Sequence, residues 1–265
     1  MISRLDGSNR PRRSGRIEAR KASASDIRGS SLRGWTRFLF RLAAGTALAV
    51  FCLFVFLIVL FKWIDPPTSS VILQDSVKSI LSGKERGAVR HTWVDYEDIS
   101  PFALLAAVAA EDQRFPVHRG FDFREIRKAV EGAVNGRRLR GASTISQQTV
   151  KNLFLRQDRS VIRKVLEAGL TVLVEGIWGK KRILEVYLNI VQMGDGIYGI
   201  EAASRFYFKK SARNLTKEQA ALLAATLPNP VRLSARRPSS YVLQRQKWIL
   251  RQMHLLGGPK YLSNL

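Results

Sequence analysis

Between Leu42 and Phe61 the chain runs for twenty residues without a charge, LAAGTALAVFCLFVFLIVLF, bounded by Arg41 and Lys62. As a helix rising about 1.5 Å per residue, this run reaches across the roughly 30 Å hydrocarbon core of a bilayer. The core helix of a soluble domain rarely lacks a polar face altogether. A cleaved signal peptide has a shorter apolar stretch, about 7–15 residues, followed by a small-x-small cleavage site. Here Lys62-Trp63-Ile64-Asp65-Pro66-Pro67 follows instead, and Trp35 and Trp63 sit at interface depth on either side. The run therefore reads as an uncleaved, single-pass signal anchor.

The flanks set its direction. Residues 1–41 carry eleven Lys and Arg against Asp6, Glu18 and Asp26. Such a basic flank keeps the N-terminus in the cytoplasm and places everything after Lys62 outside it. This tail is poor in large apolar side chains, so composition predicts that residues 1–41 are disordered. It accounts for +8 of the formal net charge of +23, leaving +15 for residues 42–265. A basic balance often marks a nucleic-acid binder. Outside the membrane the fitting partners are anionic head groups, diphosphates and acidic polymers, not nucleic acid. The only cysteine, Cys52, lies within the span, so the outer domain folds without an intrachain disulfide.

The outer part reads as mainly α. Residues 62–99 form a linker and the start of the outer domain, with Val89 to Val94 as a short extended piece, and residues 100–265 form its body. Ser100 caps a helix whose first turn takes Pro101. Asp122 caps Phe123 to Val134. Ser143 or Thr144 caps a helix running to about Leu155, and Ser160 caps one running to about Ile177. Helices follow over Lys181–Val191 and Ile200–Phe208, with Gly194-Asp195-Gly196 turning between them. Thr216 and Gln219 have capping-box spacing, and Tyr241 to Leu256 is the last helix.

Three strings carry candidate chemistry. In the first, Glu111 ends an apolar helix at a polar turn, where partial desolvation would raise its pKa and make it a usable base. Asp112, Phe115, His118 and Asp122 accompany it. In the second, Ser143, Thr144, Gln147, Gln148, Lys151 and Asn152 share a polar face. The helix N-terminus offers free N–H groups to an anion, and Lys151 adds a full charge. In the third, Arg163 and Glu167 stand at i, i+4, where an ion pair alone is worth only about 0.3–0.5 kcal/mol. Beside the other two strings, this pair suits a site for phosphate and a divalent cation. His91, His118 and His254 show no zinc spacing.

Together these strings resemble the peptidoglycan glycosyltransferases of glycosyltransferase family 51, in their stand-alone, monofunctional biosynthetic form. EDQRFPVHRGFD is similar to the family's first motif, GASTISQQTVKNLFL to its second and RKVLEAGL to its third. KKRILEVYLNIVQMGDGIYGIEAASRFYFKK is similar to the fourth and fifth together, and LTKEQAALLAATLPNP to the helix after them. Ala142 stands where the family usually has a second glycine, and the matched stretch covers roughly residues 100–256.

The resemblance implies a lysozyme-like helical catalytic domain with a small, mobile, partly membrane-associated lobe around Asn135–Gly141. It implies lipid II and a nascent glycan chain as substrates, the cell inner membrane as location and a periplasmic catalytic domain. Glu111 would be the general base. Lys151 and Arg163 would stabilise the departing diphosphate, and Glu167 would assist, through Mg or Mn or by positioning Arg163. Asp112, Phe115, His118, Ser143, Thr144, Gln148 and Asn152 would shape or line the cleft. No organic cofactor is implied. Division or wall-synthesis proteins are the expected partners, and the phosphoglycolipid moenomycin the expected inhibitor. Two other readings share parts of the pattern: a lysozyme-type peptidoglycan hydrolase and a non-catalytic anchored scaffold.

Overall fold

The computed structural model describes residues 15–81, 89–136, 143–158 and 160–265, with side chains from Trp35 onward. The chain divides into two compact units, Met1–Phe54 and Val55–Leu265. The first helix, α1 (Gly15–Leu60), contains one stretch long and apolar enough to cross a membrane, Trp35–Leu60. The helix begins at Gly15, inside the tail whose composition pointed to disorder. Arg, Lys and Ala there are good helix formers, and extending an existing helix requires no new nucleus.

In the second unit α2 (Ser70–Leu81) comes first, within the stretch expected as linker and domain start. Next is α3 (Pro101–Glu111), capped by the Ser100 hydroxyl, which accepts from the Phe102 N–H. Leu104, Leu105, Ala106, Ala107, Val108 and Ala109 are all buried, so α3 is the axis of the core. After it come α4 (Phe123–Val134), α5 (Ile145–Phe154), α6 (Val161–Ile177), α7 (Lys180–Ile190), α8 (Ile200–Phe208), α9 (Lys217–Thr226) and α10 (Ser240–Leu255). Helices α9 and α10 pack on each other and on α3, while α5 packs on α6 and α7.

The expected caps are present. Asp122 accepts from the N–H groups of Arg124 and Glu125, and Ser160 from that of Arg163. Thr144–Gln147 and Thr216–Gln219 each form a reciprocal capping box. A three-stranded sheet joins β1 (Arg90–His91), β2 (Gln192–Gly194) and β3 (Ile197–Tyr198), with β3 central, parallel to β1 and antiparallel to β2. Gly199 follows β3 at φ +81°, and a Cβ there would lie 2.5 Å from the Asn189 carbonyl oxygen. Only glycine takes that backbone and that approach without strain. The mobile lobe expected around Asn135–Gly141 lies largely outside the described residues.

The last turns of α1 belong to the second unit. Ile58 is fully buried, and its carbonyl accepts a 2.7 Å hydrogen bond from the Trp178 indole. Phe61 stacks on Phe154 of α5. Arg182 donates to the carbonyls of Phe61 and Ile64 and pairs with Asp65 and Glu185. Helix α2 is held by Gln74, which donates to the Leu155 carbonyl, and by Asp75, which accepts from the Tyr198 hydroxyl.

Candidate active site

Glu111 is the last residue of α3, and its two carboxylate oxygens have different partners. Oε2 accepts a 3.1 Å hydrogen bond from Gln148 Nε2 of α5. Oε1 faces Arg245 of α10 at 3.3 Å. Gln148 is itself steadied by the Tyr187 hydroxyl of α7, which donates to its Oε1 at 3.4 Å. Burial pushes the Glu111 carboxyl above the usual carboxylate range, and the Gln148 hydrogen bond, Arg245 and Lys151 only partly oppose it. Tyr187 is pushed well up, first by burial and then by the charges of Glu111 and Asp112.

The second carboxylate sits differently. Glu167 on α6 is 2% exposed. Its Oε2 pairs with Arg163 at 2.6 Å and its Oε1 with Lys164. Arg163 also donates to the Asp158 carbonyl at 2.7 Å, and Lys164 reaches the Ser143 hydroxyl at 3.5 Å. Arg163 Nε also lies 3.9 Å from the Asp158 carboxylate, so these two cations face two acids.

Lys151 of α5 joins the two halves. Its ammonium makes no hydrogen bond or ion pair among the described residues, yet it feels the charges of Glu167, Arg163, Lys164 and Glu111. Burial and the neighbouring cations lower its pKa, while the two carboxylates oppose this. A partly desolvated, unpaired ammonium beside two further cations is a strong locus for a multiply charged anion.

A supporting layer holds these groups in place. Both oxygens of buried Asp112 meet His118 Nε2 at 2.9 Å, and Oδ2 also accepts from the Ile145 N–H at 3.0 Å. Phe115 is fully buried, with His118 at its edge and the Lys180 ammonium 4.5 Å from its ring centroid. Lys180 pairs with Glu175, which accepts from the Ser146 hydroxyl. The Thr144 hydroxyl donates to the Gly120 carbonyl at 2.6 Å. Gly120, at φ +83°, packs where a Cβ would lie 2.8 Å from Thr171, whose hydroxyl donates to the Glu167 carbonyl. The first string is thereby tied to both helices that carry the cations.

The sequence-chosen residues separate accordingly. Glu111 and Gln148 meet at one end, Glu167, Arg163 and Ser143 group around Lys164 at the other, and Lys151 is coupled to both. Asp112, Phe115, His118 and Thr144 lie beneath and shape the site. Asn152 is buried and turned to Gln157, outside these contacts.

One expectation needs correction. The start of α5 is not a free anion cradle: the Ile145 N–H is taken by Asp112 and the Gln147 N–H by the Thr144 hydroxyl. Of the two roles expected for Glu167, through Mg or Mn or by positioning Arg163, the contacts present are those of the second. Both Glu167 oxygens already hold cations, and among the described residues no three His, Cys, Asp or Glu gather. Sequence reasoning also missed Arg245, which lies 134 positions from Glu111 and outside the motif strings. Lys164 was visible beside Arg163, but its grip on Glu167 was not.

A family model described as transglycosylase matches residues 78–254. The chain is 51% identical over 223 residues to the biosynthetic peptidoglycan transglycosylase of Cronobacter sakazakii (strain ATCC BAA-894), covering 84% of this chain and 92% of the relative. Against the protein of that name from Salmonella arizonae (strain ATCC BAA-731 / CDC346-86 / RSK2980) it is 54% identical over 228 residues, 85% and 94% of the two chains. Against that of Escherichia coli (strain K12 / DH10B) it is 53% identical over 207 residues, 78% and 86%. With the match spanning the described parts of all three strings and the helices that present them, the chain belongs to the transglycosylase family.

Proposed function

We propose that this protein is a membrane-anchored peptidoglycan glycosyltransferase that polymerises glycan chains from lipid II. The observation that supports the reading is that Lys151, without an ion pair among the described residues, is electrostatically coupled both to the half-buried base candidate Glu111 and to the ion-pair cluster of Arg163, Lys164 and Glu167. A glycosyl transfer with a diphosphate leaving group needs a base at one end and cations at the other.

In the reaction, the 4-hydroxyl of lipid II attacks the anomeric carbon of the growing chain's last sugar. Glu111 takes the hydroxyl proton as the new C–O bond forms. The bond from that carbon to the undecaprenyl diphosphate breaks, and its electron pair leaves on the diphosphate, with inversion at carbon. Lys151 and Arg163 stabilise that charge, while Glu167 orients Arg163 and Lys164. Gln148 fixes the rotamer of Glu111. We route no step through a divalent cation, because the carboxylate suggested for it is occupied by cations.

A lysozyme-type hydrolase needs two carboxyl groups at the scissile bond. Here the second is buried in an ion-pair cluster, which favours transfer from a phosphate. The basic residues before the span support a cytoplasmic N-terminus and a catalytic domain on the outer face of the inner membrane. The full chain in detergent, incubated with lipid II, should give polymer and free undecaprenyl diphosphate. Disaccharide fragments released from cell wall, or no product, would reject the assignment.

A further inference from the structure

Arg245 has not been used in the reaction above, yet it is the only cation in direct contact with Glu111 among the described residues. One of its NH2 N–H groups faces Glu111 Oε1 at 3.3 Å and also reaches the Ala110 carbonyl at 3.4 Å. Its guanidinium carbon lies 5.9 Å from the Trp248 ring centroid, one turn along α10. Its Nε–H is buried and has no partner. An arginine serving only to staple α10 to α3 would have its buried donors met. This one holds a carboxylate oxygen through a single long contact and keeps a donor in reserve.

The contrast with Glu167 is informative. That acid is gripped by two cations, one on each oxygen, and cannot accept a proton without breaking both pairs. Glu111 is held by a neutral amide on Oε2 and by one loose guanidinium contact on Oε1. Oε1 is therefore the oxygen that can be released to an incoming hydroxyl.

We propose that Arg245 is the positioning residue of Glu111: it holds the carboxylate through Oε1 between turnovers and yields that oxygen to the acceptor hydroxyl. This rests on Glu111 being the base. As the hydroxyl proton passes to Oε1, the carboxyl becomes neutral and its attraction to Arg245 disappears. The proton returns to water after the product shifts, and the ion pair re-forms.

The charges around Glu111 define what removal of Arg245 does. Lys151 and Gln148 face it from α5, Tyr187 from α7 and Arg245 from α10, with Asp112 next to it in sequence. Helix α9, packed on α3, buries no charged side chain, and its Lys217 and Glu218 stand exposed at its first turn. Tyr261, beyond α10, donates to the Gln113 carbonyl. Burial already favours the neutral acid, and Arg245 and Lys151 are the cations opposing it. Without Arg245 the base is protonated at a higher pH, so activity is lost earlier as pH falls.

The test is the pH dependence of kcat/KM for lipid II polymerisation by the full chain in detergent, for wild type, Arg245→Gln, Arg245→Lys and Glu111→Gln. Arg245→Gln should move the acid limb up by about one pH unit, the low end of the effect of an adjacent opposite charge. Its plateau turnover should also fall, because the base is less well held, with the loss in kcat and little change in KM. Arg245→Lys should return most of the limb's position. Should the glutamine variant fail to fold, Arg245→Met fills the stem's space without charge and makes the same prediction. A limb that does not move, with turnover lowered by one factor at every pH, overturns the proposal and leaves Arg245 a structural staple. Wild-type activity in Glu111→Gln would instead overturn the assignment of the base itself.

Discussion

Ile58 gives the sharpest test of how the anchor joins the domain. It lies in a run that composition assigns wholly to lipid, yet it is fully buried, and its carbonyl is held by Trp178. Truncating a buried isoleucine to alanine costs about 2–5 kcal/mol through lost transfer energy and the cavity left behind. For a domain of this size, 1 kcal/mol moves the midpoint by about 2–4 °C. Ile58→Ala should therefore lower the unfolding midpoint by about 4–20 °C in detergent. Leu53 is the control: it is 54% exposed on the same helix. Its side chain meets the surrounding medium before and after the domain unfolds, so Leu53→Ala should shift the midpoint by less than about 2 °C. Tryptophan fluorescence during a thermal ramp is the assay, with Trp178 on the Ile58 carbonyl as one of the five tryptophans that contribute. Equal shifts for the two variants would mean that the last turns of α1 are not part of the folded unit.

Other consequences can be checked on the same preparation. Glu111→Gln should abolish polymerisation while retaining lipid II binding, because it removes the base and keeps the volume; near-normal turnover would refute the role. Lys151→Ala and Arg163→Ala should each lower turnover at saturating lipid II by about 10²-fold or more, and Arg163→Lys should also be impaired, since it loses the hydrogen bond to the Asp158 carbonyl. If those variants only melt earlier, the residues are structural. Because burial raises the Glu111 pKa, wild-type kcat/KM should fall on acidification at a pH above the ordinary glutamate range; the base must be ionised, so loss comes as pH drops through that raised value. Gly199→Ala should destabilise by about 2 kcal/mol or more, since the positive φ and the Asn189 backbone both oppose a Cβ; an unchanged melt would refute the packing argument.

What the sequence made legible was local. Asp122, Ser160, Thr144 and Thr216 announce their helices because a capping side chain acts within three residues. Glu111, Lys151, Arg163 and Glu167 were visible as chemistry because their types are unusual beside apolar helix faces. Contacts across the fold stayed hidden. Helix α2 follows two prolines and polar residues, and its position depends on Leu155 and Tyr198, far along the chain. Arg245 sits among many other basic residues on a C-terminal stretch, and nothing in its neighbourhood points back to Glu111. The α5 N-terminus was read as open because Asp112, which occupies it, lies 33 residues earlier.

That occupied helix start has a consequence for selectivity. A helix N-terminus carries partial positive charge and ordinarily captures whatever small anion the medium supplies. Here the protein has installed a resident anion, the Asp112 carboxylate, which is tethered and so present at an effective concentration of roughly millimolar or more. Inorganic phosphate and sulfate are turned away from the position where they would bind most easily. They are left with cations on long side chains, arranged for something larger. The charge that remains to hold an anion is then on side chains alone, because the backbone trap at this helix start has been filled from within.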